Sequence, residues 1–144
     1  MHFVMDGYTD TPDLISDKDL IRTFLTECPD QIKMTKISEP QVITYKGPIP
    51  GDWGISGIVL IAESHISIHT FPDRLFFNID IFSCKDFDVD LVIEQIQHNF
   101  SVNQMKTRIL DRGIEYSDDK MAFEGIHHER VALRETRINN NEAI

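Results

Sequence analysis

The sequence predicts an α+β domain built on a largely antiparallel sheet, and three observations carry that expectation. Strand-like segments outnumber helical ones, groups of strands separate the helical segments, and nothing repeats at a fixed period. A chain of 144 residues with 41% hydrophobic residues and nine Phe is the size of one domain and can bury a core.

His2 to Asp6 reads as a short strand. Asp10-Thr11-Pro12-Asp13 is turn-like, and a helix should start at Ser16-Asp17-Lys18-Asp19, because Leu20, Ile21, Phe24 and Leu25 recur at helical spacing on one face. Cys28-Pro29 should end it. Two strands follow, Ile32 to Ile37 and Gln41 to Tyr45, and then a loop by composition from Gly47 to Gly54. Ile55 to Ala62 is a strand whose apolar run implies burial on both faces; His65 to Phe71 continues or follows it with alternating polarity. Pro72-Asp73 turns the chain into Leu75 to Phe82, a buried strand with Asn78 and Asp80 set among Phe77, Ile79 and Ile81. Asp88 to Phe100 places Val89, Val92, Ile93 and Ile96 at helical spacing, with Asp86, Asp88 and Asp90 near its start, where the helix dipole favours acids. Val102 to Leu110 reads as a last strand. The domain is expected over residues 1–115, followed by a polar, loose or helical appendage over 116–144 with little periodicity.

Composition narrows the function classes. No run approaches the roughly 18 apolar residues of a membrane span, and the N-terminus lacks a signal peptide's basic-then-apolar layout, so the expected location is the cytoplasm, without a membrane partner. The formal net charge of −10 disfavours nucleic acid and anionic membranes as partners. Cys28 and Cys84 are too few for a disulfide framework and belong to no CxxC pair, so reduced thiols are expected.

The stretch Ala62-Glu63-Ser64-His65-Ile66-Ser67-Ile68-His69-Thr70 places a nucleophile, an acid and two imidazoles inside an apolar, strand-like run, where each would need a buried partner. By residue type, Ser64 reads as a hydrogen-bonded core serine, because the GxSxG turn of a hydrolase is missing. On a strand, His65, Ser67 and His69 share a face, and a zinc site with Glu63 or with His127-His128 is an alternative, although the spacing matches no strong zinc pattern. A lone Cys84 is most often an inert, buried residue.

Gly54-Ile55-Ser56-Gly57, the run from Ala62 through His69-Thr70-Phe71-Pro72-Asp73, and Asp80-Ile81-Phe82-Ser83-Cys84 together resemble the prokaryotic S-adenosylmethionine decarboxylase family, with the likeness densest over residues 54–84. The resemblance implies a two-layer α/β sandwich, with helices covering the sheet, and a homodimer of processed protomers with active sites at the interface. It implies that Ser64 attacks the carbonyl of Glu63, that the resulting ester breaks by β-elimination, and that residues 1–63 and 64–144 become separate chains. The new N-terminus at Ser64 becomes a pyruvoyl cofactor, with no metal and no pyridoxal phosphate. His69 is implied as the base of processing with Ser56 assisting; the pyruvoyl carbonyl takes the substrate amine as a Schiff base, and Cys84 reprotonates the carbon left when carbon dioxide departs.

The implied reaction is decarboxylation of S-adenosylmethionine, a small amino-acid-type substrate, for spermidine synthesis. Some members of the family act instead on arginine or ornithine, and an uncleaved, non-catalytic binding relative is a further reading. Phe71 and Asp73 stand where Trp and Glu are common, and Lys85 where Gly is common. With Trp53, which lies where the family places an aromatic against adenine, Phe71 and Asp73 are the candidate substrate contacts. One conflict is geometric: Ser64 and His69 are five apart, so a flat strand would point them to opposite faces. A bulge, a tight turn or a crossing between strands is expected near Glu63-Ser64.

Overall fold

The computed structural model describes residues 1–62 and 64–110, which form the compact unit Met1–Leu110. Its elements, in chain order, are β1 (His2–Thr9), α1 (Pro12–Ser16), α2 (Lys18–Gln31), β2 (Gln41–Lys46), β3 (Trp53–Ile61), β4 (Ser64–Phe71), a 3-10 turn (Pro72–Arg74), β5 (Phe76–Phe82), α3 (Val89–Phe100) and β6 (Val102–Leu110). The strands make one sheet in the order β2-β3-β4-β5-β1-β6, in which every pairing is antiparallel. The expected α+β class with a largely antiparallel sheet is therefore what the chain adopts. The appendage expected over 116–144 and the pair His127-His128 lie outside the described residues.

Local chemistry sets the helix ends. Asp17 caps α2 by accepting the N–H groups of Asp19 at 2.8 Å and Leu20 at 3.1 Å, and Asp88 caps α3 by accepting that of Leu91 at 3.1 Å. Pro12 does not end a turn but opens the short helix α1, where its missing N–H is no loss. Pro29 does not end α2, which runs on to Gln31; so near the C-terminus a proline removes a single helical bond. The strand expected over Ile32–Ile37 is absent. Lys33 takes a left-handed conformation (φ 60°) and turns the chain, so that only Lys36 bridges to the sheet, opposite Ile61.

Among the described residues, one face of the sheet is covered by helices and the other is not. Ile21, Phe24 and Leu25 of α2, Ile15 of α1, and Val92, Ile96 and Phe100 of α3 pack on Phe3, Met5, Ile55, Val59, Ile61, Ile66, Ile68, Phe77, Ile79 and Ile81. This is a layer of helices on a layer of sheet. Burial of β3 on both faces does not hold: Ile58 is 40% exposed and Leu60 46%, because no element of the described chain lies over their side of the sheet. Ile43 and Tyr45 on the neighbouring β2 point to the same open side by register and are exposed as well. Two expected boundaries also move. β1 extends to Thr9, and β3 begins at Trp53 inside the expected loop. Gly54 is required there: a β-carbon would lie 2.0 Å from the Thr70 carbonyl oxygen of β4.

Candidate active site

The site is built from a turn and two strand ends. Ile61 closes β3 and pairs with Ser64, the first residue of β4, so the chain reverses between them. A tight turn therefore exists where one was expected. Glu63 itself lies outside the described residues. The Ala62 N–H donates to the Thr35 carbonyl at 2.8 Å, and the Ser64 hydroxyl donates to the Phe82 carbonyl at the end of β5. His65 pairs with Phe82, so the start of β4 and the end of β5 meet at one end of the sheet. Cys84, half-buried, follows two residues later. The structure thus brings Ser64 and Cys84 to one end of the sheet across β4 and β5.

The turn does not remove the parity conflict, because both residues lie on the same strand. β4 runs from Ser64 to Phe71 without a register shift, with Ser64 in phase with the covered Ile66, Ile68 and Thr70, and His69 in phase with His65 and Ser67 on the open side. Five residues of strand also separate the two by about 16 Å. His69 pairs across β3 with Ser56, and its Nδ1 lies 2.8 Å from the Ser56 hydroxyl. That contact occupies Nδ1 and leaves Nε2 as the nitrogen available for proton transfer.

The three candidate substrate contacts gather at the other end. The Trp53 indole N–H donates to the Asp73 carboxylate at 2.9 Å. Phe71 stacks on Phe76 at 5.6 Å, with the Arg74 guanidinium 5.7 Å from its ring centre. The adjoining loop, Lys46 to Trp53, lines a cavity of about 460 Å³. Because β3 begins at Trp53 and ends at Ile61, this group and Ser64 occupy opposite ends of the same sheet.

Sequence reasoning passed over two features. His2 on β1 and His65 on β4 both pair with Phe82, and both imidazoles turn toward Asp80, whose Oδ1 is 2.7 Å from His2 Nε2 and 3.7 Å from His65 Nε2. Asp80 was visible as an acid in an apolar strand, but its partner 78 residues away was not. The second is Ser83, 2% exposed and hydrogen-bonded on all sides, directly before Cys84. Among the described residues no group of three or more His, Cys, Asp or Glu is arranged to hold a metal ion. His69, one of the candidate ligands, is engaged by Ser56 instead.

The two thiols have opposite environments. Burial in the core pushes the Cys28 thiol up to about 12, which holds it protonated and inert at neutral pH. Cys84 is half-exposed, and neither residue forms a disulfide.

Comparison with known proteins places this geometry in a family. The family model described as S-adenosylmethionine decarboxylase matches residues 1–113. An S-adenosylmethionine decarboxylase proenzyme of Archaeoglobus fulgidus is 34% identical over 113 residues, covering 78% of this chain and 96% of the relative. Proteins of the same description from Hydrogenobaculum and Pyrococcus furiosus are 33% and 29% identical, each over about 80% of both chains. The crystal structure of the adenosylmethionine decarboxylase from Aquifex aeolicus superposes with a TM-score of 0.65 at 27% identity, covering 78% of this chain and 89% of that one.

Proposed function

The chain belongs to the S-adenosylmethionine decarboxylase family, and from that membership we propose that it cuts itself between Glu63 and Ser64 and then decarboxylates S-adenosylmethionine, supplying the aminopropyl donor for spermidine synthesis. It is a carboxy-lyase acting on a small amino-acid-type molecule. The observation that carries the reading is the meeting of Ser64 and Cys84 at one sheet end, beside the turn that holds the peptide to be cut.

Position 64 suits a pyruvoyl group made from the serine itself. Phe82 accepts the hydroxyl hydrogen, which turns the oxygen lone pairs away from β5, and the residue opens a strand directly after the turn, where a new chain end has room. A pyruvoyl ketone, conjugated to its amide, supplies the electron sink that an amino-acid decarboxylase requires. The remaining roles fall to side chains. Ser56 holds Nδ1 of His69, so that Nε2 takes and returns the protons of processing. Cys84 holds the proton destined for the substrate's α-carbon. The Trp53 N–H fixes one oxygen of Asp73 and leaves the other free to accept from a substrate hydroxyl, beside the ring of Phe71.

These groups cannot all serve one catalytic centre within one chain, since Ser64 and Cys84 lie at one end and the Trp53-Asp73 pair at the other. A homodimer answers this. Two copies packed through their open faces, running in opposite directions, would set the Ser56-His69 and Trp53-Asp73 groups of one against the sheet end of the other that carries Cys84 and the turn before Ser64. The same packing would cover Ile43, Ile58 and Leu60, which are otherwise apolar surface in water. The place of action is the cytoplasm, without membrane or nucleic-acid partners; no helix among the described residues is long and apolar enough to cross a membrane.

Intact mass of the purified protein tests the first step. The natural chain should give two fragments ending at Glu63 and beginning at a blocked residue 64, and Ser64→Ala should stay whole; a single unmodified natural chain would overturn the reading. Carbon dioxide release from S-adenosylmethionine, and not from arginine or ornithine, tests the second.

A further inference from the structure

Ser83 makes more contacts than a residue between a strand and a loop requires. Its hydroxyl accepts the Lys85 N–H at 3.0 Å, closing a turn around Cys84, and donates to the Met34 sulfur at 3.6 Å. Its own N–H donates to the Met1 carbonyl at 3.0 Å, which carries the β1–β5 ladder one step past His2 and Phe82. The carbonyl immediately before it, that of Phe82, receives the Ser64 hydroxyl. A hydroxyl 2% exposed and satisfied as both donor and acceptor is rigid, because any other rotamer would leave a buried polar atom without a partner.

We propose that Ser83 is the positioning residue for Cys84: its side chain fixes the turn that carries the thiol, and its main chain ties that turn to the strand end holding position 64. The proposal rests on the decarboxylase reading above, in which Cys84 holds a proton for the substrate carbon. Proton delivery is sensitive to placement on the scale of an ångström. Without the hydroxyl the Lys85 amide loses its acceptor, and the turn that carries Cys84 loses its side-chain brace. Met34 adds a second brace from the segment after α2, whose Thr35 carbonyl also holds Ala62 in the turn. The turn to be cut and the turn bearing the thiol are therefore set from the same segment.

The test compares Ser83→Ala with Ser83→Thr, which keeps a hydroxyl. In the mature enzyme, Ser83→Ala should lower kcat roughly tenfold or more with KM within about twofold, and Ser83→Thr should recover most of the loss. The cleaved fraction should match that of the natural protein, because Cys84 acts after the cut. In uncut Ser64→Ala protein, where turnover plays no part, adding Ser83→Ala should speed Lys85 amide exchange about tenfold and speed alkylation of Cys84. Equal losses in the Ala and Thr variants, tracking a fall in Tm, would reduce Ser83 to packing and overturn the proposal; so would unchanged kcat, exchange and alkylation. If the natural protein neither cuts itself nor acts on S-adenosylmethionine, the functional reading falls, while exchange and alkylation in the uncut protein still decide whether Ser83 holds Cys84.

Discussion

The hydroxyl of Ser56 and Nδ1 of His69 lie 2.8 Å apart on the open side of the sheet, and the strand that carries His69 turns Ser64 to the opposite side. Within one chain the pair lies about 16 Å along the strand from that serine.

This predicts complementation between inactive chains. His69→Ala and Ser64→Ala should each remain uncut when expressed alone. Expressed together, the His69→Ala chains should be cut, since a partner carrying Ser64→Ala brings an intact His69 to them. Mass spectrometry reads the two chains separately, and a mixture that stays wholly uncut would rule out the face-to-face dimer. Ser56→Ala should slow processing less than His69→Ala does, because it frees Nδ1 without removing the ring.

The open face itself makes a prediction about assembly. Replacing Ile58 and Leu60 together by Lys should give a monomer by sedimentation while leaving the helical signal intact, since neither side chain packs in the core. A double variant that still sediments as a dimer would move the interface elsewhere.

Trp53→Phe keeps an aromatic ring and removes the N–H that holds Asp73. KM for S-adenosylmethionine should rise several-fold with kcat nearly unchanged, because in the proposed reading Asp73 holds substrate and the reacting atoms lie elsewhere. A fall in kcat at constant KM would place Asp73 in the chemistry instead.

Cys28 couples stability to alkaline pH. Its thiol is raised from 9.0 to about 12, so between these values the unfolded chain loses a proton that the folded chain keeps. The stabilisation this represents is fully present below pH 9 and is lost as pH rises toward 12, by an amount on the order of 4 kcal/mol. Cys28→Ala should flatten that decline in urea melts followed between pH 8 and 11. It should lower stability at pH 7 through the cavity it leaves.

Much of this was legible in the sequence, for reasons that differ by element. β4, β5 and α3 announced themselves because their apolar residues follow the period of the structure they form, and β3 because its residues run apolar. Segment 32–37 carries strand-like residues yet forms no strand, because Lys33 adopts a left-handed turn that no residue type there foretells. The apolar run of β3 implied cover on both sides, and residue type cannot say that no described element lies over the second side. Ser64, His69 and Cys84 came from a motif; their separation into two groups came only with the register of β4. The triad of His2, His65 and Asp80 joins residues far apart in the chain through Phe82, which no local pattern encodes.

The turn between Ile61 and Ser64 joins two strands that stay paired residue by residue from Ile55-Thr70 to Ile61-Ser64. Severing it would remove a covalent link at a place where the ladder already holds both ends, so the folded protein would survive its own cleavage unchanged in shape. The unfolded protein would not: its two pieces would drift apart, and refolding would become a bimolecular encounter between strands that once closed as a hairpin. Since the acceptor of the Ser64 hydroxyl comes from β5, the serine is poised only after the sheet has formed. A cofactor made there, as proposed, would be a record that folding succeeded, and each mature molecule would carry a history it could not repeat.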